Sequence, residues 1–103
     1  MKVEITPLDK LPRDRGVRVK VGDHRIAMFR VGDHVYAIGD VCSHAEASLA
    51  EGEVFDGSVE CPRHGSEFDL VTGFPSSLPA TIPVPSYEVS VEDGIVFLSL
   101  EDQ

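Results

Sequence analysis

The chain has 103 residues, of which 42% are hydrophobic, so it can form one compact core but not two. Its formal net charge of −9 is unevenly distributed, because residues 1–30 carry a net charge of +4 and residues 31–103 carry −13. An acidic protein of this kind repels nucleic acid and anionic membranes, and it attracts protein partners that present a basic face. The alternative is that the acidic side chains only keep the protein soluble.

No stretch of the sequence is long enough to cross a membrane. Uninterrupted apolar runs reach four residues, as at 26–29, whereas a spanning helix needs about twenty. The N-terminus alternates polar and apolar residues up to Pro7 and lacks the apolar core of a signal peptide. We therefore expect a cytosolic protein, in a reducing compartment that keeps cysteines as thiols.

Alternating patterns rich in β-branched and aromatic residues predict an all-β fold of antiparallel sheets, arranged as a β-sandwich or small barrel. Turn residues that tolerate positive φ separate neighbouring strands and predict four hairpins. The predicted strands are 17–21, 25–31, 34–39, 53–55, 58–61, 86–92 and 95–100, and the turns are Gly22-Asp23, Gly32-Asp33, Asp56-Gly57 and Asp93-Gly94.

Two segments between the strands have a different character. The segment 45–51 is compatible with a helix that Gly52 ends after at most two turns, and we predict a loop with one short turn there. The segment 74–85 contains four prolines and cannot form a central strand. We expect a stiff loop that either helps to exclude water from a site or simply connects two sheets.

The most informative feature is a pair of short motifs, Cys42-Ser43-His44 and Cys61-Pro62-Arg63-His64-Gly65, which contain both cysteines of the chain. Sixteen residues separate His44 from Cys61, so the motifs belong to two loops of a folded domain. The other two histidines, His24 and His34, lie beside predicted turns, and we exclude them from the site.

Several kinds of site use cysteine and histidine. A zinc finger groups its cysteines in one knuckle and its histidines on a helix, whereas each motif here mixes the two types. A catalytic pair needs one nucleophile and one base, which does not explain the duplication. A disulfide between the two cysteines is disfavoured in a reducing compartment. The duplication fits two metal ions best, as in a [2Fe–2S] cluster in which two histidines replace two cysteines on one iron.

The two motifs, followed by Ser66, Phe68-Asp69 and Thr72-Gly73, resemble the cluster-binding boxes of Rieske [2Fe–2S] proteins. The resemblance extends from about residue 17 to the end and is similar to the small ferredoxins of ring-hydroxylating dioxygenases. It implies a single domain, 1–103, with cluster-binding loops at about 40–50 and 61–74 and one cluster per chain. It also implies that Cys42 and Cys61 bind one iron, that His44 and His64 bind the other, and that Pro62, Gly65, Ser66 and Phe68 surround the cluster.

The sequence departs from the high-potential members of this family. Their boxes each contain an extra cysteine where this chain has Ala47 and Arg63, and a tyrosine where this chain has Phe68. A cluster with two thiolate ligands is neutral when oxidised, so its potential should exceed the roughly −400 mV of plant-type ferredoxins. Without the disulfide and the tyrosine hydroxyl, we expect a potential near the low end of the Rieske range, at about −150 mV.

The resemblance implies a one-electron carrier rather than an enzyme. Such a ferredoxin receives electrons from a flavin-dependent reductase and passes them to a terminal non-haem iron oxygenase through transient electrostatic docking. We expect a monomer that binds neither nucleic acid nor membranes. Three alternatives remain: an accessory protein of iron–sulfur cluster assembly, the small subunit of an enzyme similar to nitrite reductase, and a zinc-binding structural module.

Overall fold

The computed structural model describes residues 2–42, 47–63, 65–76 and 82–100. Short 3₁₀ turns occur at Leu8–Lys10 and Leu49–Glu51, and no helix in these segments is long and apolar enough to cross a membrane. The same segments contain nine strands: β1 (Lys2–Pro7), β2 (Gly16–Val21), β3 (His24–Val31), β4 (His34–Gly39), β5 (Val54–Phe55), β6 (Ser58–Glu60), β7 (Glu67–Asp69), β8 (Ser86–Glu92) and β9 (Ile95–Ser99).

The strands form two antiparallel sheets. The larger sheet has the order β1-β9-β8-β4-β3-β2, and the smaller has the order β5-β6-β7. The two halves of the larger sheet are joined where β4 pairs with β8, through only Ala37↔Tyr87 and Ile38↔Ser86. This architecture confirms the predicted all-β, antiparallel fold class.

Strand β3 is covered on both faces, which explains its uninterrupted apolar run. Successive side chains of a strand point to opposite faces. Ile26 and Met28 therefore join one apolar cluster with residues of β9, while Ala27 and Phe29 join a second cluster with residues of the smaller sheet. All four side chains are fully buried. The second cluster, which we call the inter-sheet cluster, also contains both cysteines.

The four predicted hairpin turns are all confirmed. Each connects the antiparallel pair expected for it, namely β2–β3, β3–β4, β5–β6 and β8–β9. Both residues of Asp56-Gly57 and of Asp93-Gly94 have positive φ, as a type I′ turn requires. Aspartate tolerates this conformation better than most side chains, and glycine adopts it freely.

Two strands were not predicted. β1 pairs with β9 at the other end of the chain, with Lys2 opposite Ser99. β7 has only three residues and follows the second cysteine motif, which ends at Gly65. β1 does alternate polar and apolar residues, but its pairing partner lies at the other end of the chain, and β7 is too short to show a period, so each depends on its partner strand. The other strand boundaries, including that of β9, which ends at Ser99, differ from the prediction by one residue or less.

The two unusual segments fold partly as expected. In 45–51 the 3₁₀ turn Leu49–Glu51 ends at Gly52, as predicted, and residues 45 and 46 lie outside the described part of the chain. Of the proline-rich segment, residues 77–81 also lie outside it. Pro75 forms a bridge to Phe68 of β7, and Val84 is buried in the inter-sheet cluster. The described ends of this segment therefore pack against the region of the cysteines.

A surface ion pair links β1 to β8 at the edge of the larger sheet. The Lys2 ammonium donates a hydrogen bond to the Glu92 carboxylate, and this bond lowers the pKa of Glu92. On β8, partial burial raises the pKa of Tyr87, whose hydroxyl lies 3.3 Å from His24 Nδ1. These contacts belong to the sheet and not to the cysteine loops.

Gly73 joins the proline-rich segment to the turn after β7, and we predict that Gly73→Ala is strongly destabilising. An added Cβ would lie 2.2 Å from the Val84 carbonyl oxygen, at a φ of +78°. Strained φ and steric overlap together should cost about 3 kcal/mol or more. Chemical unfolding of the purified protein measures this loss.

Gly57→Ala is the matched control. Gly57 has nearly the same φ, +75°, but open space around its Cβ position. Only the conformational cost of about 1 kcal/mol should then be observed. Equal losses in the two variants would show that the close approach of Val84 to Gly73 contributes nothing.

Candidate metal centre

Both cysteines lie in the inter-sheet cluster, between the larger and the smaller sheet. Cys42 follows β4 and is 4% exposed, and Cys61 follows β6 and is 1% exposed. Both are in the described part of the chain, and neither forms a disulfide. Apolar side chains from both sheets surround them, so the fold brings together two thiols that are far apart in the sequence.

Residues 42–47, which we call the first ligand loop, are closed at their base by the backbone. The N–H of Cys42 donates to the carbonyl of Ala47 at 3.0 Å. One residue further out, Val41 and Ser48 form an antiparallel bridge. The two ends of the loop are therefore paired like a short hairpin.

Residues 61–66, the second ligand loop, are closed by the same type of bond. The N–H of Cys61 donates to the carbonyl of Ser66 at 2.6 Å, and the N–H of Gly65 donates to the carbonyl of Cys61 at 3.0 Å. Gly65 has a φ of +76°, a conformation that favours glycine. In both loops the cysteine N–H reaches the carbonyl five residues later, so the sequence duplication corresponds to a duplicated backbone geometry.

Asp40 stabilises the base of the first ligand loop, a role that the sequence analysis did not identify. Its side chain is buried, and its Oδ1 accepts bonds from the Ser48 hydroxyl at 2.8 Å and the Ala50 N–H at 3.0 Å. Its own carbonyl accepts a bond from the Leu49 N–H at 2.7 Å. Asp40 thus ties the strand that enters the loop to the segment that leaves it. The position of this aspartate in the sequence, between an apolar strand and a cysteine motif, could have indicated its role.

The residues predicted to surround the site fall into two groups. Ser66 and Phe68 are fully buried, and Phe68 packs in the inter-sheet cluster with both cysteines. Pro62 and Gly65 are exposed at the tip of the second ligand loop, as is Arg63. The buried pair lies on the core side of the loop and the exposed residues lie on its solvent side.

Exposed apolar side chains follow the second ligand loop. Val71, Phe74 and Ile82 are each more than 60% exposed. Phe74 is held close to β7 because its carbonyl accepts a bond from the N–H of Asp69 at 2.9 Å. Three exposed apolar side chains therefore lie in the segments that follow the second ligand loop along the chain.

His44 and His64, the two histidines of the predicted ligand set, lie outside the described residues. Among the residues that the structure does describe, no group of three or more His, Cys, Asp and Glu side chains could hold a metal ion. His24 and His34 begin β3 and β4, where His24 contacts Tyr87 and His34 stacks on Tyr36. Their exclusion from the site is consistent with these positions.

The donor chemistry of the described residues fits an iron–sulfur cluster. A buried cysteine often serves as a small core hydrophobe. Here, however, each cysteine begins a loop that a backbone bond closes, which packing alone does not require. Two buried thiols without a disulfide supply the thiolate half of a cluster with mixed cysteine and histidine ligands.

The role of Asp40 predicts that Asp40→Ala loosens the first ligand loop. Two donors, the Ser48 hydroxyl and the Ala50 N–H, would lose their acceptor in a partly buried site. The expected loss is about 2 to 4 kcal/mol of stability, together with faster loss of bound iron to a chelator. Unfolding curves and the decay of the visible absorbance measure the two effects.

Asp40→Asn is the conservative control, since its side chain keeps an oxygen that can accept both bonds. We expect this variant to retain most of the stability and of the iron. If Asp40→Asn lost iron as fast as Asp40→Ala, the carboxylate charge, and not the hydrogen bonds, would be responsible.

Comparison with known proteins identifies the family. The family model described as Rieske [2Fe-2S] domain matches residues 1–88, and it therefore begins earlier than the resemblance near residue 17. Ferredoxin CarAc from Metapseudomonas resinovorans is 44% identical over 82 residues, which cover 80% of this chain and 77% of the relative. The anthranilate 1,2-dioxygenase ferredoxin subunit of Burkholderia cepacia is 43% identical over 89 residues, covering 86% and 82%.

Solved structures agree with this assignment. The ferredoxin of carbazole 1,9a-dioxygenase from Nocardioides aromaticivorans IC177 is 35% identical, with a TM-score of 0.94 and coverage of 98% of this chain and 99% of that chain. A chain in a complex of reduced oxygenase and oxidised ferredoxin in carbazole 1,9a-dioxygenase is 38% identical, with a TM-score of 0.87 and coverage of 94% and 100%.

A more distant structural relative is a nitrite reductase small subunit from Mycobacterium tuberculosis, described as NADH-dependent and putative. It is 27% identical, with a TM-score of 0.89 and coverage of 100% of this chain and 97% of that chain. The match over residues 1–88, the ferredoxin relatives and the duplicated cysteine loops lead to one conclusion: the chain belongs to the Rieske [2Fe–2S] domain family, whose cofactor is a Rieske-type [2Fe–2S] cluster.

Proposed function

We propose that this protein is a ferredoxin that carries one electron at a time from a flavin-dependent reductase to a terminal non-haem iron oxygenase. The observation that carries the proposal is the identity of 43–44% to ferredoxin components over at least 80% of the chain. The likeness to a ferredoxin chain solved together with its oxygenase supports the second half of this route.

Within this function, Cys42 and Cys61 hold one iron, and His44 and His64 hold the other. The two ligand pairs lie on loops at about 40–50 and 61–74 of a single domain, 1–103. When bound, the cluster supplies reversible uptake of one electron. The burial of both thiols and the duplicated loop geometry support the cysteine half of this ligand set.

The residues around the cysteines have distinct tasks. The inter-sheet cluster excludes water from the thiolates, and the closed loops hold them in place with little reorganisation. Ser66 is buried on the core side and is positioned as the remaining hydroxyl donor, whereas the ring of Phe68 offers no hydroxyl. Pro62 and Gly65 shape the exposed tip, which leaves the second ligand loop accessible to a partner.

We further infer that the chain is an electron-transfer component and not an enzyme, and that it acts as a cytosolic monomer. Its relatives are named as ferredoxin components, which supports the carrier role. Transient docking to the reductase and the oxygenase is expected at the end of the molecule that carries the ligand loops. The lower identity of 27% to a nitrite reductase small subunit favours the ferredoxin over that alternative.

Redox titration of the purified protein tests the proposed electron-carrier site. We expect one electron per chain at about −150 mV, because the disulfide and the tyrosine hydroxyl of high-potential members are absent. Reduced protein should give the electron paramagnetic resonance signal of a [2Fe–2S] cluster. A potential above about +100 mV would contradict the role assigned to Phe68, and zinc without iron would contradict the function.

The proposed ligand His64 predicts the effect of His64→Cys. A thiolate in place of a neutral imidazole adds one negative charge at the cluster, so the potential should fall by about 125 mV if the cluster is retained. This figure follows from the roughly −400 mV of four-cysteine ferredoxins, which carry two such replacements. Potentiometric titration of both proteins measures the shift.

Arg63→Ala is the matched control, since it also makes the chain more negative by one unit. Arg63 is exposed, so solvent and salt screen its charge, and the expected shift is about 20 mV or less. Equal shifts in the two variants would mean that surface charge, and not the ligand at position 64, sets the potential.

A further inference from the structure

A basic groove lies beside the first ligand loop. Two adjoining cavities of about 480 and 420 Å³ share Arg18, Arg25 and Asp40, and we call them together the basic groove. Lys20 of β2 lines one of the cavities, and Val41, Ala47 and Ser48 at the base of the first ligand loop line the other. The groove therefore connects an edge of the larger sheet with the segment that carries Cys42.

The strand register places basic side chains next to one another on one face of this groove. Arg18 and Lys20 alternate along β2 and point to the same face. Lys20 lies directly opposite Arg25 of β3 in the antiparallel register. Like charges directly opposite each other destabilise a sheet, so folding alone does not explain this pair.

Few of these charges are neutralised within the protein. Arg18 has one carboxylate nearby, that of Glu51 at 3.8 Å, and both side chains are 65% exposed. Such exposed pairs contribute little. Among the described residues, neither Lys20 nor Arg25 has a carboxylate within ion-pair distance, and both are exposed. The Asp40 carboxylate is buried and already binds Ser48 and Ala50.

Protection of a sheet edge explains only part of this pattern. β2 is the last strand of the larger sheet, and a lysine on an edge strand discourages pairing with other chains. Arg25, however, is on β3, which pairs on both sides. Its position opposite Lys20 adds charge where no edge needs protection. A ligand that carries negative charge explains the cluster better.

We propose that the basic groove is a docking surface for an acidic, carboxylate-bearing face of one of the redox partners, beside the first ligand loop. This inference rests on the proposed electron-carrier function. A protein face can place carboxylates against the groove and other groups against the acidic remainder of the chain. A nucleic acid or an anionic membrane is a uniform polyanion and is repelled by the net charge of −9. Val41, which is 39% exposed, supplies an apolar contact at the same place.

The test uses the cluster-loaded protein and a synthetic peptide that carries four adjacent glutamates between neutral serine and glycine residues, so that carboxylates can meet the groove and neutral groups meet the acidic remainder. Binding is measured by calorimetry at about 0.1 M salt, where charges beyond about 10 Å are screened. The double variant K20E/R25E should weaken binding at least tenfold. It replaces two opposed cations with two opposed anions, so the repulsion across the strands is similar. The variant K10E/R13E also lowers the net charge by four at exposed positions outside the groove, and it should change binding less than twofold.

Carbodiimide crosslinking of the same mixture locates the peptide, because the chain has only three lysines, at positions 2, 10 and 20. The proposal expects the crosslink at Lys20. Equal loss of binding in both double variants would overturn the proposal, and so would crosslinks only at other positions. Tighter binding of a DNA oligomer of equal charge at Lys20 would also overturn it. The peptide assay requires no electron transfer, so it can fail while the redox titration still supports the carrier function.

Discussion

The burial of Cys42 and Cys61 in one apolar cluster is the constraint on which the site depends. The cluster is formed by side chains of both sheets, such as Phe29 from the larger sheet and Val59 from the smaller sheet. Each cysteine begins its loop at the end of a central strand, Cys42 after β4 of the larger sheet and Cys61 after β6 of the smaller sheet. The two thiols therefore come together only when the sheets pack, and any change that separates the sheets also separates the ligands.

The backbone adds precision to this packing. Each ligand loop is closed by the same bond, from the cysteine N–H to the carbonyl five residues later. Asp40 reinforces the first loop with its buried carboxylate, and Gly65 allows the tight return of the second. A site held in this way reorganises little when its charge changes by one electron, which suits a carrier that must accept and donate repeatedly.

The protein has regions of opposite charge, and each region favours a partner surface of the opposite sign. The acidic composition of residues 31–103 favours partners with basic faces, and the amino-acid sequence alone shows this composition. The basic groove favours the opposite kind of partner surface. It exists because the register places Lys20 opposite Arg25 and because Val41, Ala47 and Ser48, at the base of the first ligand loop, line the adjoining cavity. A carrier with two partners can use both regions, since each partner needs its own complementary surface.

The sequence by itself determined the fold class, most strands, the four hairpin turns and the two cysteine motifs. These features follow from local properties: alternation along a strand, tolerance of positive φ, and donor type. The tertiary structure decided the pairing of β1 with β9, the three-residue strand β7, the role of Asp40 and the basic groove. Each of these depends on residues that are distant in the sequence and become neighbours only when strands pair and sheets pack.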